Sequence, residues 1–239
     1  MVGTIINIGA VSAGSILGVL LGNRFPQRIQ ETVFDALGLL TLFIGFQMSF
    51  KTENMLIILG ALLAGGVMGE LLRIEDRLNR IGEILQRTFS MEKQRKFVEG
   101  FVTASLLFCV GPMAILGSIR DGLAGDYTIL AVKSMLDGFA SLGFSSALGW
   151  GVIFSTLTIL VFQGGITLSA VWIQQFLTVS MVNEMTATGG LIIVGIGLRL
   201  LKIRDIRVGN FLPALLIAPA TVLALDKIKT WLELAGPIK

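Results

Sequence analysis

Apolar runs close to 20 residues long recur from one end of this chain to the other. A run of that length matches the hydrocarbon thickness of a bilayer, which an α-helix crosses in about 20 residues. Soluble domains rarely contain one such run, and this chain repeats it throughout, so the fold class it predicts is all-α, a polytopic transmembrane helical bundle. Composition agrees: only 15% of the 239 residues are charged, and the mean hydropathy is +0.82. No linker or low-complexity stretch divides the chain, which reads as a single membrane domain over 1–239. The first run, Gly3 to Gly22, has no basic segment before it and is followed by Asn23, Arg24 and Phe25 rather than a small-residue cleavage site. It reads as a retained span and not a signal peptide.

Apolar spans are expected at 3–22, 35–50, 55–72, 98–118, 128–148, 150–172, 187–201 and 209–225, eight crossings in all. The fifth carries Lys133, Ser134, Asp137 and Ser141, so a re-entrant segment with seven true crossings is the alternative. Between the third and fourth spans, Ile74, Leu78, Ile81 and Leu85 recur at helical spacing against Glu75, Arg77, Arg80, Glu83 and Arg87. That pattern predicts an amphipathic helix over 74–97, lying on the membrane surface or serving as a docking surface for a partner. Residues 226–239 form a tail.

Lys and Arg concentrate in cytoplasmic loops of membrane proteins. Placing the amino terminus outside puts Arg24, Arg28, Arg73, Arg77, Arg80, Arg87, Lys93, Arg95, Lys96, Lys202, Arg204 and Arg207 in the cytoplasm and leaves Lys51, Arg120, Lys227, Lys229 and Lys239 outside, a split of 12 to 5. Loop 73–97 is then cytoplasmic. Topology accounts for the net charge of +3, and nucleic-acid binding is not expected.

Self-comparison points to an internal repeat. Gly38-Leu-Leu-Thr-Leu-Phe-Ile-Gly45 in the second span matches Gly190-Leu-Ile-Ile-Val-Gly-Ile-Gly197 in the seventh, and Gly60-Ala-Leu-Leu63 in the third matches Pro213-Ala-Leu-Leu216 in the eighth. A weaker match sets Gly3-Thr-Ile-Ile-Asn7 against Gly151-Val-Ile-Phe-Ser155, pairing Asn7 with Ser155. Residues 3–72 and 150–225 thus read as two three-helix repeats around the intervening helices of 98–148. The charge argument gives the two repeats opposite directions, and inverted repeats recur in secondary transporters, whose binding sites lie where the halves meet. Spans two and seven look short and glycine-interrupted, a further pointer to such a site.

Several residues suit a binding site. Gly111 and Pro112 interrupt the fourth span, because Pro removes a helical hydrogen bond and frees a carbonyl. Lys133 and Asp137 are i and i+4, so on a helix they share a face and neutralise each other; ionisable groups inside a membrane usually mark ion or solute pathways. Ser134 lies between them. Asp121 and Asp126 are expected in an exterior loop with Arg120. Asn210 with Pro213 suggests a second interrupted helix. Gln47 and Gln163 are ambiguous. Gly14, Gly18 and Gly22 form a small-residue stripe for close helix packing, inside the monomer in the first instance and in a homodimer as the alternative.

Cys109 is the single cysteine and there is no histidine, which removes an internal disulfide, imidazole metal ligands and the commonest general base. No metal or cofactor is expected. Neither HExxH nor GxSxG is present, and nothing supports a Ser-Lys dyad built on Lys133, so enzymatic activity is not expected.

Together, Gly3-Thr-Ile-Ile-Asn7, Cys109-Val-Gly-Pro-Met-Ala-Ile115, Gly117-Ser-Ile-Arg-Asp-Gly122, Lys133-Ser-Met-Leu-Asp137, Gly149-Trp-Gly-Val-Ile-Phe-Ser155 and Asn210-Phe-Leu-Pro-Ala214 resemble the prokaryotic membrane family catalogued as domain of unknown function 554. The resemblance covers essentially the whole chain. It implies a bacterial or archaeal plasma-membrane protein of a family described only as candidate transporters. The leading expectation is therefore a secondary transporter of a small solute or ion, with H+ or Na+ as the coupling ion and the lipid bilayer as its surroundings. A membrane scaffold or regulatory subunit working through the 74–97 helix, and an ion channel, are the alternatives.

Overall fold

The computed structural model describes residues 1–22, 26–89, 91 and 96–234, without the side chains of 27 and 229–234. Asn23, Arg24, Phe25, Lys93, Arg95, Lys239 and the end of the 226–239 tail, all used above, lie outside the described residues.

The described chain is α-helical. The helices are α1 (Val2–Gly22), α2 (Gln27–Ser49), α3 (Met55–Leu72), α4 (Ile74–Thr88), α5 (Phe97–Cys109), α6 (Pro112–Ala124), α7 (Thr128–Leu148), α8 (Ser155–Leu168), α9 (Ala170–Gln174), α10 (Val179–Leu200) and α11 (Ala214–Leu234), with 3-10 turns at Gly149–Phe154 and Val208–Phe211. Six helical segments are long and apolar enough to cross a membrane, or seven when α5 and α6, bent by 62°, count as one. One of the six, the 41 residues of Thr128–Leu168, would be about 60 Å long if straight, twice a hydrocarbon core. It doubles back instead at Gly149, whose φ of 77° is readily adopted only by glycine. Leu130 packs at Gly3, and Met1 reaches Gly164, so both ends of the segment return to the start of α1.

The fifth span is a continuous 21-residue helix, α7, packed against α1 along its length rather than a re-entrant loop. The two run parallel. A Cβ on Gly14 would collide with the Gly138 carbonyl and the Ser141 hydroxyl, one on Gly18 with the Leu142 carbonyl, and one on Gly22 with the Ser146 carbonyl. The glycine stripe of α1 is thus filled by α7 within the monomer. The other face of α7 carries the exposed Val132, Met135, Leu136 and Phe139, as a lipid-facing surface should. α2 runs antiparallel to α10, with Gly38 against Leu201 and Gly197 against Leu42, and α3 runs antiparallel to α11, with Gly65 against Ala214.

Spans two and seven are not short: α2 has 23 residues and α10 has 22. Both begin with polar turns, which a hydropathy reading assigns to loops. In α10, Glu184, Thr186 and Thr188 are buried, and the two threonines return their hydroxyls to carbonyls one turn earlier, so these residues satisfy their polarity inside the helix bundle.

Arg73 ends α3 in the left-handed conformation (φ 51°) and starts α4, turning the chain from a crossing into a helix along the end of the bundle. The inner face departs from the sequence pattern at Ile81 and Glu75. Glu75 and Gly82 are buried and Leu78 and Leu85 pack on the core, while Ile81 faces out with Ile84. Partners on other elements determine this: Glu75 accepts from Arg199 Nη1 at 2.8 Å and from the Gly209 amide at 2.7 Å. The described basic residues Arg28, Arg73, Arg77, Arg80, Arg87, Lys96, Lys202, Arg204 and Arg207 gather at this end of the bundle, with Lys51, Arg120 and Lys227 at the other.

Candidate functional site

In the first half of the α1–α7 pair, where apolar packing would be cheapest, four polar side chains meet. Asn7 on α1 is fully buried because it lies on the same face as Gly3 and Gly14, the face that α7 covers. Its Nδ2 donates to Asp137 Oδ2 at 3.0 Å and to Gln163 Oε1 at 3.3 Å. Lys133 Nζ pairs with the same Asp137 oxygen one turn away. α8 supplies Gln163, also fully buried. Cys109, at the end of α5, is buried, and beyond the α5–α6 break Gly117 of α6 packs on Leu130 in the first turn of α7.

The cluster is polar beyond its own needs. Asn7 Oδ1, an acceptor, and Gln163 Nε2, a donor, are buried without a hydrogen-bond partner, as are the hydroxyls of Thr4, Ser15, Ser118 and Ser145. Buried polar groups are nearly always paired, because an unmade hydrogen bond costs about 1–3 kcal/mol. An orphan acceptor and an orphan donor beside a compensated charge pair can hydrogen-bond a small ligand or water. At the break, Val110 is extended (ψ 100°) and Pro112 opens α6; proline has no N–H, so the Phe108 carbonyl lacks its helical donor. Among the described residues no three His, Cys, Asp or Glu side chains converge on a metal-sized site.

Lys133, Asp137 and Asn7 are brought together, whereas Gly111 and Pro112 stand at the α5–α6 break. Ser134 faces inward but returns its hydroxyl to the Leu130 carbonyl at 2.6 Å. Asp121 is not in a loop. It lies buried on α6, where it accepts from the Gly3 amide at 3.0 Å and pairs with the amino group of Met1 at 2.9 Å, clamping the start of α1. Asp126 is half-buried near Arg120, 3.6 Å away, and the hydroxyl and amide of Thr128 hold its carboxyl below the usual range. Ser155, the residue matched to Asn7 in the self-comparison, opens α8. It caps its own turn through the Val152 carbonyl, two helical turns before Gln163, which is the residue that meets Asn7. Asn210 belongs to the basic end, where it accepts from the Glu75 amide at 2.8 Å and donates to Glu70 at 2.6 Å.

Sequence reasoning missed Glu184. Fully buried in the first turns of α10, it accepts from the Thr52 hydroxyl at 2.8 Å and from the amides of Glu53 and Asn54 at 2.8 and 3.0 Å. The signal was an acid close to an apolar span, the argument that had picked out Asp137.

A bundle of long apolar helices with lipid-facing sides and a polar, charge-compensated interior defines a polytopic membrane protein. The chain belongs to the family "Protein of unknown function (DUF554)", whose pattern it matches over residues 2–223. It is similar to "Uncharacterized membrane protein YdfK" of Bacillus subtilis (strain 168), 32% identical over 226 residues, 93% of this chain and 96% of that protein. It is also similar to "Uncharacterized protein YqgA" of Escherichia coli (strain K12), 33% identical over 222 residues, 91% of this chain and 94% of that one. No solved structure matches it.

Proposed function

We propose that the protein is a secondary transporter that moves a small solute or ion across the prokaryotic plasma membrane by alternating access, coupled to H+ or Na+ through Asp137. The observation that carries this reading is the buried Asn7–Asp137–Lys133–Gln163 cluster with its orphan acceptor and donor. Desolvating an ion pair costs several kcal/mol per ion, and apolar residues of similar volume often serve stability as well or better. Keeping it inside a membrane span is characteristic of ion and solute pathways. The pair is neutral as a unit. An uncharged or zwitterionic solute therefore adds no net charge on entering, whereas an ion has to be balanced by the coupling ion.

The concentration of basic residues at one end supports a cytoplasmic location for that end and for loop 73–97. The antiparallel packing of α2 on α10 and of α3 on α11 is compatible with two inverted halves. Solute-evoked charge movement in proteoliposomes tests the proposal across cations, organic acids, amino acids and nucleobases. A current for one class in the wild type, absent in Asp137→Asn, supports it. Silence across the panel from folded protein overturns it and favours a scaffold working through the outward Ile81 and Ile84 of α4.

A further inference from the structure

At the basic end, α3 and the chain over 204–211 line an open groove of about 420 Å³. Its apolar wall includes Leu63, Val67 and Phe211, and Arg204 and Arg207 stand at it. We propose that this groove binds an anionic phospholipid of the surrounding leaflet, with the headgroup phosphate on Arg204 and an acyl chain along α3.

The wall is continuous with a surface already suited to lipid. Leu56, Leu59, Leu63, Val67 and Leu71 form one exposed row on α3, spaced so that they share a helical face. The groove interrupts that row near its basic end. From Leu63 to Glu70 the helix rises about 10 Å, enough for the first carbons of an acyl chain to lie on the row while the headgroup reaches the loop. The ring of Phe211 packs over Gly66, where a Cβ would come within 2.8 Å of it, so the absence of a side chain at Gly66 keeps the groove floor low.

Charge selects the headgroup. Glu70 is occupied by Arg207 Nη1 at 2.7 Å and Asn210 Nδ2 at 2.6 Å. Asp205 is taken by Arg199 Nε at 3.2 Å. Arg204 is exposed and has no carboxylate partner among the described residues, and Lys202 is exposed two residues before it. One guanidinium is thus uncommitted beside an apolar wall, and guanidinium binds phosphate in a bidentate fork. A zwitterionic headgroup would bring its own cation among Lys202, Arg204 and Arg207, whereas an anionic one would not. The proposal does not depend on the transport reading.

The test is retention of phosphatidylglycerol against phosphatidylcholine by the purified full-length protein, read by native mass spectrometry and by thermal shift in detergent. The wild type is expected to retain phosphatidylglycerol selectively and to gain thermal stability from it. Arg204→Gln should weaken this roughly fivefold, the contribution of one basic residue at an anionic surface, while Arg120→Gln at the opposite end should not. Leu63→Trp, which fills the groove from an exposed position, should displace the lipid with Arg204 intact. Equal retention of the two lipids, unchanged retention in Arg204→Gln and Leu63→Trp, or equal stabilisation by inorganic phosphate alone would each overturn the proposal.

Discussion

Gly45 and Gly190 face each other so closely that neither has room for a side chain: a Cβ on Gly45 would lie 2.8 Å from the Gly190 carbonyl oxygen, and one on Gly190 would lie 2.6 Å from that of Gly45. These glycines belong to the two octapeptides whose sequences match, so the matched segments cross one another.

Gly45→Val and Gly190→Val should each force α2 and α10 apart and destabilise the protein by about 1–3 kcal/mol, the range for overpacking. Gly60, with nothing near its missing Cβ, is the control, and Gly60→Ala should be close to neutral. Thermal unfolding in one detergent compares all three.

Removing one member of the buried pair strands the other. Asp137→Asn should cost about 3–5 kcal/mol by leaving Lys133 uncompensated, whereas Asp137→Asn combined with Lys133→Gln should recover most of that. Unfolding temperatures of the two singles and the double form the cycle. If the double is no better than the singles, the pair does not act as a neutral unit.

Glu184 ties the start of α10 to the turn between α2 and α3. Glu184→Ala deprives two amides and a hydroxyl of their acceptor, at about 1–3 kcal/mol for each group left buried. Hydrogen exchange should accelerate at Glu53 and Asn54 while the interior of α7 stays protected.

Asn210 receives the Glu75 amide in the first turn of α4. Asn210→Ala should loosen that turn and speed exchange at Glu75, while Asn210→Asp, which retains an acceptor, should preserve most of the protection. Equal acceleration in both variants would mean that the amide is held by something other than this acceptor.

What the sequence made legible was local. The lysine and aspartate one turn apart, the Gly-Pro break, the glycine stripe and the apolar runs each depend on residues within a few positions of one another, so spacing reveals them. The partners supplied by distant elements could not be read this way. Asn7 meets Gln163 because the reversal at Gly149 sets which turn of α8 lies beside α1. Glu75 turns inward, against its periodicity, because Arg199 and Gly209 await it there. Asp121 was assigned to a loop because short polar stretches between apolar runs resemble loops, yet it serves as the acceptor that fixes α1. The first turns of α2 and α10 were cut from their helices because hydropathy follows apolar residues alone: those of α2 are polar, largely exposed and still helical, and in α10 the polar Glu184 is buried and bonded by the turn between α2 and α3.

The parallel pairing of α1 with α7 sets a schedule for biogenesis. Asn7 and Asp137 are 130 residues apart, and chains are made at about 5–20 residues per second, so roughly 6–26 seconds separate the synthesis of one from the other. Throughout that interval α1 has its glycine groove and the side chains of Thr4, Asn7 and Ser15 without the helix that will cover them. The first segment made is thus among the last to be completed, and whatever shelters it in the meantime, the insertion machinery or the half-built bundle, is as much a requirement of this architecture as its finished contacts.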